Sequence, residues 1–211
     1  MSVELLKEIN NRYLEAVAFH RESADLMWFV YLPGYALLHE YQNLAENLMQ
    51  RRVKRYIINT YYINVPELLP TSDSSVSALT KGINRKKMDY PAIVNIVQKS
   101  WNKYCDWELE TLNIYQGIAT SLIDSGEVSA FNFVGNIIKD VKTELDYIND
   151  KIVELTAHDW AMDQIVAEQT DILERYEYLI RKLLGKSKKY HHNNGNYSPD
   201  DRMTVLEKYE E

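Results

Sequence analysis

Two residues of this chain have the side-chain chemistry and the helical register to bind a metal ion inside a helical core. Glu108 falls on one predicted helix face with Trp101 and Tyr115, and His20 lies in an apolar stripe of an earlier helix. Carboxylate and imidazole are both common metal ligands. A buried Glu108 beside His20 indicates either a metal site or its relic, or a satisfied polar contact in a core that is rich in tyrosine.

Other chemical motifs are missing from the sequence. It contains no nucleophile elbow, no P-loop, no dinucleotide fingerprint, no zinc-type spacing and no Glu-x-x-His pair. The single Cys105 cannot form an internal disulfide, which predicts a buried thiol and a cytoplasmic protein. His191 and His192 fall among asparagines, and this composition favours a solvated linker over a transition-metal site.

Long helices must position these side chains. Apolar residues recur at three- and four-residue steps over about 3–29, 34–63, 90–125 and 131–155, and the pattern restarts over about 162–183. Within the fourth helix the spacing predicts that Phe131, Ile138, Leu145 and Ile152 are buried. Residues 74–83 are expected to form a short helix in the long connection between the second and third helices.

Composition supports an all-α protein without a membrane span. Gly (7) and Pro (5) are scarce among the 211 residues, and apolar residues make up 45%, which is ordinary for a globular protein. No window of about 18 residues is apolar and uncharged. The N-terminal residues enter a helical pattern at once, which predicts that there is no signal peptide.

The junction between the first two helices resembles that of a known family. Its matching positions, which fall at the family's offsets without a gap, are Trp28, Pro33, Tyr35, Leu38, His39 and Glu40. Dps proteins, the mini-ferritin branch of the ferritin-like superfamily, have a tryptophan at the end of the first helix, a turn, and Leu-His-Glu at the start of the second. This resemblance implies a ferritin-like four-helix bundle over residues 1–157, with a short helix in the crossover.

The same resemblance implies an iron site shared between two subunits, but most of its ligands are replaced. Of the five matching positions only His39 keeps its ligand, and the others are Met27, Asn43, Lys54 and Ile58. A lysine in place of a carboxylate would repel a dication. We therefore expect the ferroxidase site of this family to be largely lost and the chain not to be a ferroxidase. His39, Glu108 and His20 remain the candidate ligands, and iron is the metal that they would take.

Cationic side chains near the C-terminus could bind a nucleic acid. Many Dps-like proteins bind DNA through lysine-rich tails that neutralise phosphates without reading sequence. The corresponding candidates are Arg181, Lys182, Lys186, Lys188 and Lys189, although the net charge of the whole chain is −7. The alternative is that cations at a helix C-terminus complement its dipole.

These observations predict an all-α, ferritin-like bundle over 1–157, an additional helix over 158–185 that packs on it, and a polar linker with a short terminal helix over 186–211. The leading function is that of a Dps-like homo-oligomer in non-specific DNA protection or iron-linked stress defence. One alternative is a non-catalytic ferritin-like scaffold, perhaps encoded by a phage or mobile element, that binds a protein partner. The other is an active di-iron ferroxidase, which the ligand count disfavours. The tail is either an assembly element or a binding element.

Overall fold

Six α-helices form the described part of the molecule. The computed structural model describes residues 2–66 and 74–184, with side chains over 2–66 and 76–176. The helices are α1 (Ser2–Phe29), α2 (Pro33–Tyr61), α3 (Ser74–Ser77), α4 (Tyr90–Asp124), α5 (Val128–Ala157) and α6 (Met162–Leu184). No strand occurs in these two ranges. The predicted all-α class, with five long helices, is confirmed.

The four longest helices form the bundle and α6 lies outside it. The main helix pairs are α1 with α2 and α4 with α5, and α6 packs along α2. Apolar side chains form two core clusters at different levels of the bundle, one around Phe19, Tyr35 and Trp101 and the other around Leu6 and Val134. None of the described helices is long and apolar enough to span a membrane.

Local sequence signals explain where the helices begin. Pro33 occupies the first turn of α2, where the missing N–H costs no hydrogen bond. Asp89 precedes α4, and its Oδ1 accepts a hydrogen bond from the backbone N–H of Ala92 at 3.0 Å. Between α5 and α6, Asp159 and Trp160 both adopt left-handed backbone conformations, which turns the chain back on itself.

The junction between α1 and α2 is closed by the last helix. The backbone N–H of Gly34 donates to Oε1 of Gln169 at 2.9 Å, and Tyr35 donates to Oε2 of Glu168 at the same distance. A Cβ at position 34 would lie 1.7 Å from the backbone oxygen of Gln169. Only glycine allows α6 to approach α2 this closely.

Two local expectations differ from the structure. The buried side of α5 consists of Ala130, Val134, Ile137, Val141, Leu145, Ile148 and Leu155, whereas Phe131, Ile138 and Ile152 are only partly buried. The apolar stripe of α5 is wider than its contact with the core, and the expected seam was centred on one edge of that stripe. The crossover helix is also shorter than 74–83, since α3 gives way to a 3-10 turn over Ala78–Thr80.

Candidate metal centre

A pair of histidines lies in the interior of the bundle. His20 of α1 is 0% exposed and His39 of α2 is 4% exposed, and their Nδ1 atoms are 3.0 Å apart. One ring must donate to the other in this contact, so both cannot be protonated at Nδ1. Nε2 of His20 is buried and has no hydrogen-bond partner among the described residues. A buried ring nitrogen in this position is a candidate ligand.

Two carboxylates from the opposite helices complete a cluster with His20. Glu108 of α4 is 3% exposed, and Glu144 of α5 is partly buried. One ligand atom from each of His20, Glu108 and Glu144 can be chosen so that all three lie within 4.8 Å of one another. Three donors at this separation can coordinate one ion between them.

Neighbouring side chains hold Glu144 in position. Gln42 of α2 donates a hydrogen bond to Oε1 of Glu144 at 2.6 Å, and the hydroxyl of Tyr104 donates to the same oxygen. Tyr104 is 1% exposed and also contacts both histidine rings. The carboxylate of α5 is therefore fixed by residues from α2 and α4.

A third carboxylate, Glu46 of α2, faces the same interior. Burial, followed by the charge of Glu144, raises the pKa of Glu46 well above its usual value. Burial and the charges of Glu144 and Glu46 likewise raise the pKa of Glu108. Burial is also the main cause that raises the pKa of Glu144 to about 7. Burial therefore favours the protonated form of all three carboxyl groups, and a bound cation would favour their charged form.

The histidines are held in the neutral form that a metal requires. Burial lowers the pKa of His39 to about 3, and burial together with the charge of His39 lowers the pKa of His20. A neutral imidazole presents a lone pair, whereas the imidazolium does not. Burial thus keeps His20 available for coordination at neutral pH.

Arg12 is a cation whose charge acts on Glu108. Its guanidinium lies 3.6 Å above the ring of Trp107, and it donates to Thr111 and to Glu110. Its charge opposes the rise in the pKa of Glu108 but is a smaller influence than burial. Arg12 is thus engaged by its own partners and does not neutralise the three carboxyl groups.

The structure brings together two of the residues that the sequence singled out and changes the position expected of a third. His20 and Glu108 lie in one cluster. His39, expected to face a neighbouring subunit, is instead buried against His20. Met27 is a core residue, and Asn43 donates to the backbone oxygen of Val17. The five cations assigned to DNA, from Arg181 to Lys189, lie outside the residues whose side chains the structure describes.

Sequence reasoning overlooked Glu46 and Glu144, although a signal for each was present. Glu144 continues the three- and four-residue spacing of Ile137, Val141 and Ile148. A second series at the same steps consists of His39, Gln42, Glu46, Gln50, Val53 and Ile57. Glu144 is thus a polar side chain inside an apolar stripe, and Glu46 belongs to a row of polar residues in line with the apolar Val53 and Ile57.

Solved structures with the same fold were found. An engineered closed form of the Archaeoglobus fulgidus ferritin has a TM-score of 0.67 at 10% identity, over 82% of this chain and 94% of that one. A variant of PmFTN soaked in iron overnight has a TM-score of 0.65 at 11% identity, over 80% of this chain and 96% of that one. The chain has a ferritin-like fold. No family model and no curated protein matches the sequence of this ferritin-like chain.

The ferritin-like bundle departs from the usual ligand set of metal sites within such bundles. Those sites take a Glu from each of two helices and a Glu-x-x-His pair from each of the other two. Here each helix contributes one residue, namely His20 from α1, Glu46 from α2, Glu108 from α4 and Glu144 from α5. This reduced set has fewer donors than two ions would need.

Proposed function

We propose that this protein binds one iron ion inside its bundle and carries out an iron-linked redox function there. The observation that supports this most directly is the convergence of His20, Glu108 and Glu144 within 4.8 Å, with Nε2 of His20 buried and unpartnered. The solved structures of similar fold include a ferritin and a protein soaked in iron, in agreement with this choice of metal.

The donor set suits iron on chemical grounds. One imidazole and two carboxylates are the ligand types that iron(II) accepts, and a dication would relieve the repulsion among the carboxyl groups. His20, Glu108 and Glu144 would hold the ion and Glu46 would lie beside it. Iron would supply one-electron redox chemistry. The chain's own residues would fix the geometry of the site, Tyr104 and Gln42 through Glu144, and His39 through His20.

His39 has a defined part in this proposal. For Nε2 of His20 to bind a metal, the proton of His20 must be on Nδ1 and must be donated to Nδ1 of His39. His39 would therefore orient a ligand and would not itself be one. The Dps-like site between subunits, for which His39 was the retained ligand, is not the site that we propose.

Metal titration of the full chain tests the proposal. Apo-protein is titrated with cobalt(II), and with iron(II) under anaerobic conditions, and calorimetry gives the stoichiometry and the dissociation constant. We expect one ion per chain, with binding weakened at least about tenfold in Glu108→Gln, because even the loss of a residue that only supports a ligand typically costs 10- to 100-fold in metal affinity. Asp106→Asn, an exposed carboxylate on the same helix, should leave the affinity unchanged. Equal binding by these two variants, or no binding by the wild type, would refute the proposal.

DNA protection, assembly into a homo-oligomer and binding of a protein partner remain predictions. The cations expected to contact phosphates lie outside the residues whose side chains the structure describes. A gel-shift series at increasing salt would test the DNA contact, since affinity for phosphates falls steeply with salt.

A further inference from the structure

A cavity of about 740 Å³ leads from the surface of the bundle to the carboxylate cluster. Its lining includes buried residues, such as Tyr13, Glu108 and Tyr115, and exposed residues, such as Lys139 and Arg175. Glu46 and Glu144 also line it. Lys139 and Arg175 thus belong to the exposed part of the lining, and the three carboxyl groups belong to its buried and partly buried part.

The volume of this cavity is far larger than a metal ion needs. Sites for organic molecules of drug size are typically about 300–1,000 Å³. Helices α2 and α5 are held together on this side by the bond from Gln42 to Glu144 and by the stacked rings of Tyr56 and Phe133, whose centroids are 4.0 Å apart. The cavity residues Ala45, Glu46 and Met49 of α2, and Asn136 and Asp140 of α5, lie between these two contacts along their helices.

Three of the cations that line the cavity are exposed or partly exposed. They are Arg52 from α2, Lys139 from α5 and Arg175 from α6, and Asp140 is the exposed carboxylate among the lining residues. The pKa of Asp140 is raised by partial burial, while Arg52 and Lys139 act to lower it. These three cations would attract an anion.

Apolar and aromatic side chains also line the cavity. They include Ala16, Ala45 and Met49, and the rings of Tyr41 and Trp107, with the guanidinium of Arg12 beside Trp107. These side chains would cover the apolar body of a ligand whose charged group remained beside the three cations.

From this distribution of charge and volume we infer that the cavity binds an amphipathic organic anion. Its anionic group would bind Arg52 and Arg175, and its aromatic or aliphatic body would reach towards Glu108 and Glu144. That this anion is the substrate of the iron site rests on the proposed function. Binding of the anion itself does not require the metal.

Three probes that share a naphthylmethyl group and differ in charge test the inference on the apo full-length protein. They are naphthaleneacetate, naphthalenemethanol and naphthylmethylamine, whose binding is measured by calorimetry. We expect the acetate to bind at least about tenfold more tightly than the alcohol, and the amine to bind most weakly, because charge-assisted hydrogen bonds are stronger than neutral ones. The double variant Arg52→Met, Arg175→Met should remove this preference and leave binding of the alcohol unchanged.

Two further variants separate charge from space. Arg51 is exposed, precedes Arg52 in the chain and does not line the cavity. The Arg51→Met variant should therefore bind all three probes as the wild type does. Ala45→Trp fills the cavity without changing its charge and should weaken all three probes. Circular dichroism and thermal unfolding establish that each variant is folded.

The outcomes distinguish this inference from the proposed function. Equal affinity for the three probes, a preference for the amine, or an unchanged preference in the double variant would overturn the inference. If cobalt(II) binds and naphthaleneacetate does not, the inference fails and the iron site stands. If naphthaleneacetate binds as expected and cobalt(II) does not, the iron site fails and the anion site stands.

Discussion

Replacing Glu144 by glutamine should change how the stability of the metal-free protein depends on pH. Glu144 has a pKa of about 7 in the folded chain, raised chiefly by burial from an ordinary value near 4.5. Between those two pH values the unfolded chain releases this proton and the folded chain keeps it. The stabilising contribution is therefore complete below about pH 4.5 and is lost as pH rises through 7.

The magnitude follows from the size of the shift. One pKa unit corresponds to about 1.4 kcal/mol, so a change from 4.5 to about 7 is worth about 3 kcal/mol in the free energy of unfolding. Glutamine can accept the bonds from Gln42 and Tyr104 without carrying a charge. At pH 8 the Glu144→Gln variant should thus be more stable than the wild type by about 2–3 kcal/mol, and at pH 4.5 the two should be nearly equal.

Urea unfolding in EDTA at several pH values between 4.5 and 8 measures this difference. Asp146→Asn, an exposed carboxylate two residues further along α5, is the matched control and should follow the wild type. Cobalt(II) at about 100 times its dissociation constant should raise the stability of the wild type by about 2.7 kcal/mol and that of Glu144→Gln by much less. Parallel pH profiles for Glu144→Gln and the wild type would refute the reasoning about burial.

Two other substitutions test how α6 is attached. Gly34→Ala should destabilise the protein by about 1–3 kcal/mol, because its Cβ would meet a backbone oxygen of α6. Gly117→Ala has open space around it and should stabilise α4 by about 0.5–1 kcal/mol. Thermal unfolding compares the two variants, and an unchanged stability of Gly34→Ala would contradict the close approach of α6 to α2. Lys151→Met removes the cation 3.3 Å from the buried Glu168 and should cost about 1–2 kcal/mol at pH 8. The loss should become smaller as the pH falls, because burial raises the pKa of Glu168 and the carboxyl group then loses its charge; an equal loss at pH 8 and at acid pH would show that this ion pair is not the cause.

The helices were predictable from the sequence because their apolar spacing and their terminators are local. The restart of the pattern after Ala157 corresponds to the observed turn, and α6 begins at Met162. Which side chains of each helix are buried was less predictable. Tyr41, Ala45 and Met49 of α2 are only partly buried because they line the cavity. No periodicity in one helix reports the width of the gap to another.

The candidate centre shows the same division between local and non-local information. His20 and Glu108 could be recognised because each interrupts the apolar stripe of its own helix. Their meeting with Glu144 depends on the relative heights of α1, α4 and α5, which short sequence patterns do not encode. His39 was misplaced because its neighbours along the chain resemble a site between subunits, whereas its orientation is set by contact with α1.

The contacts of the α1–α2 junction with α6 have a consequence for folding during synthesis. Gly34 and Tyr35 bond to residues 135 and 133 positions later in the chain. On the ribosome, the first two helices will have emerged long before Gln169 does. Until then the start of α2 has unpaired polar groups and uncovered apolar surface, so a nascent chain is most exposed to aggregation or to a chaperone during this interval.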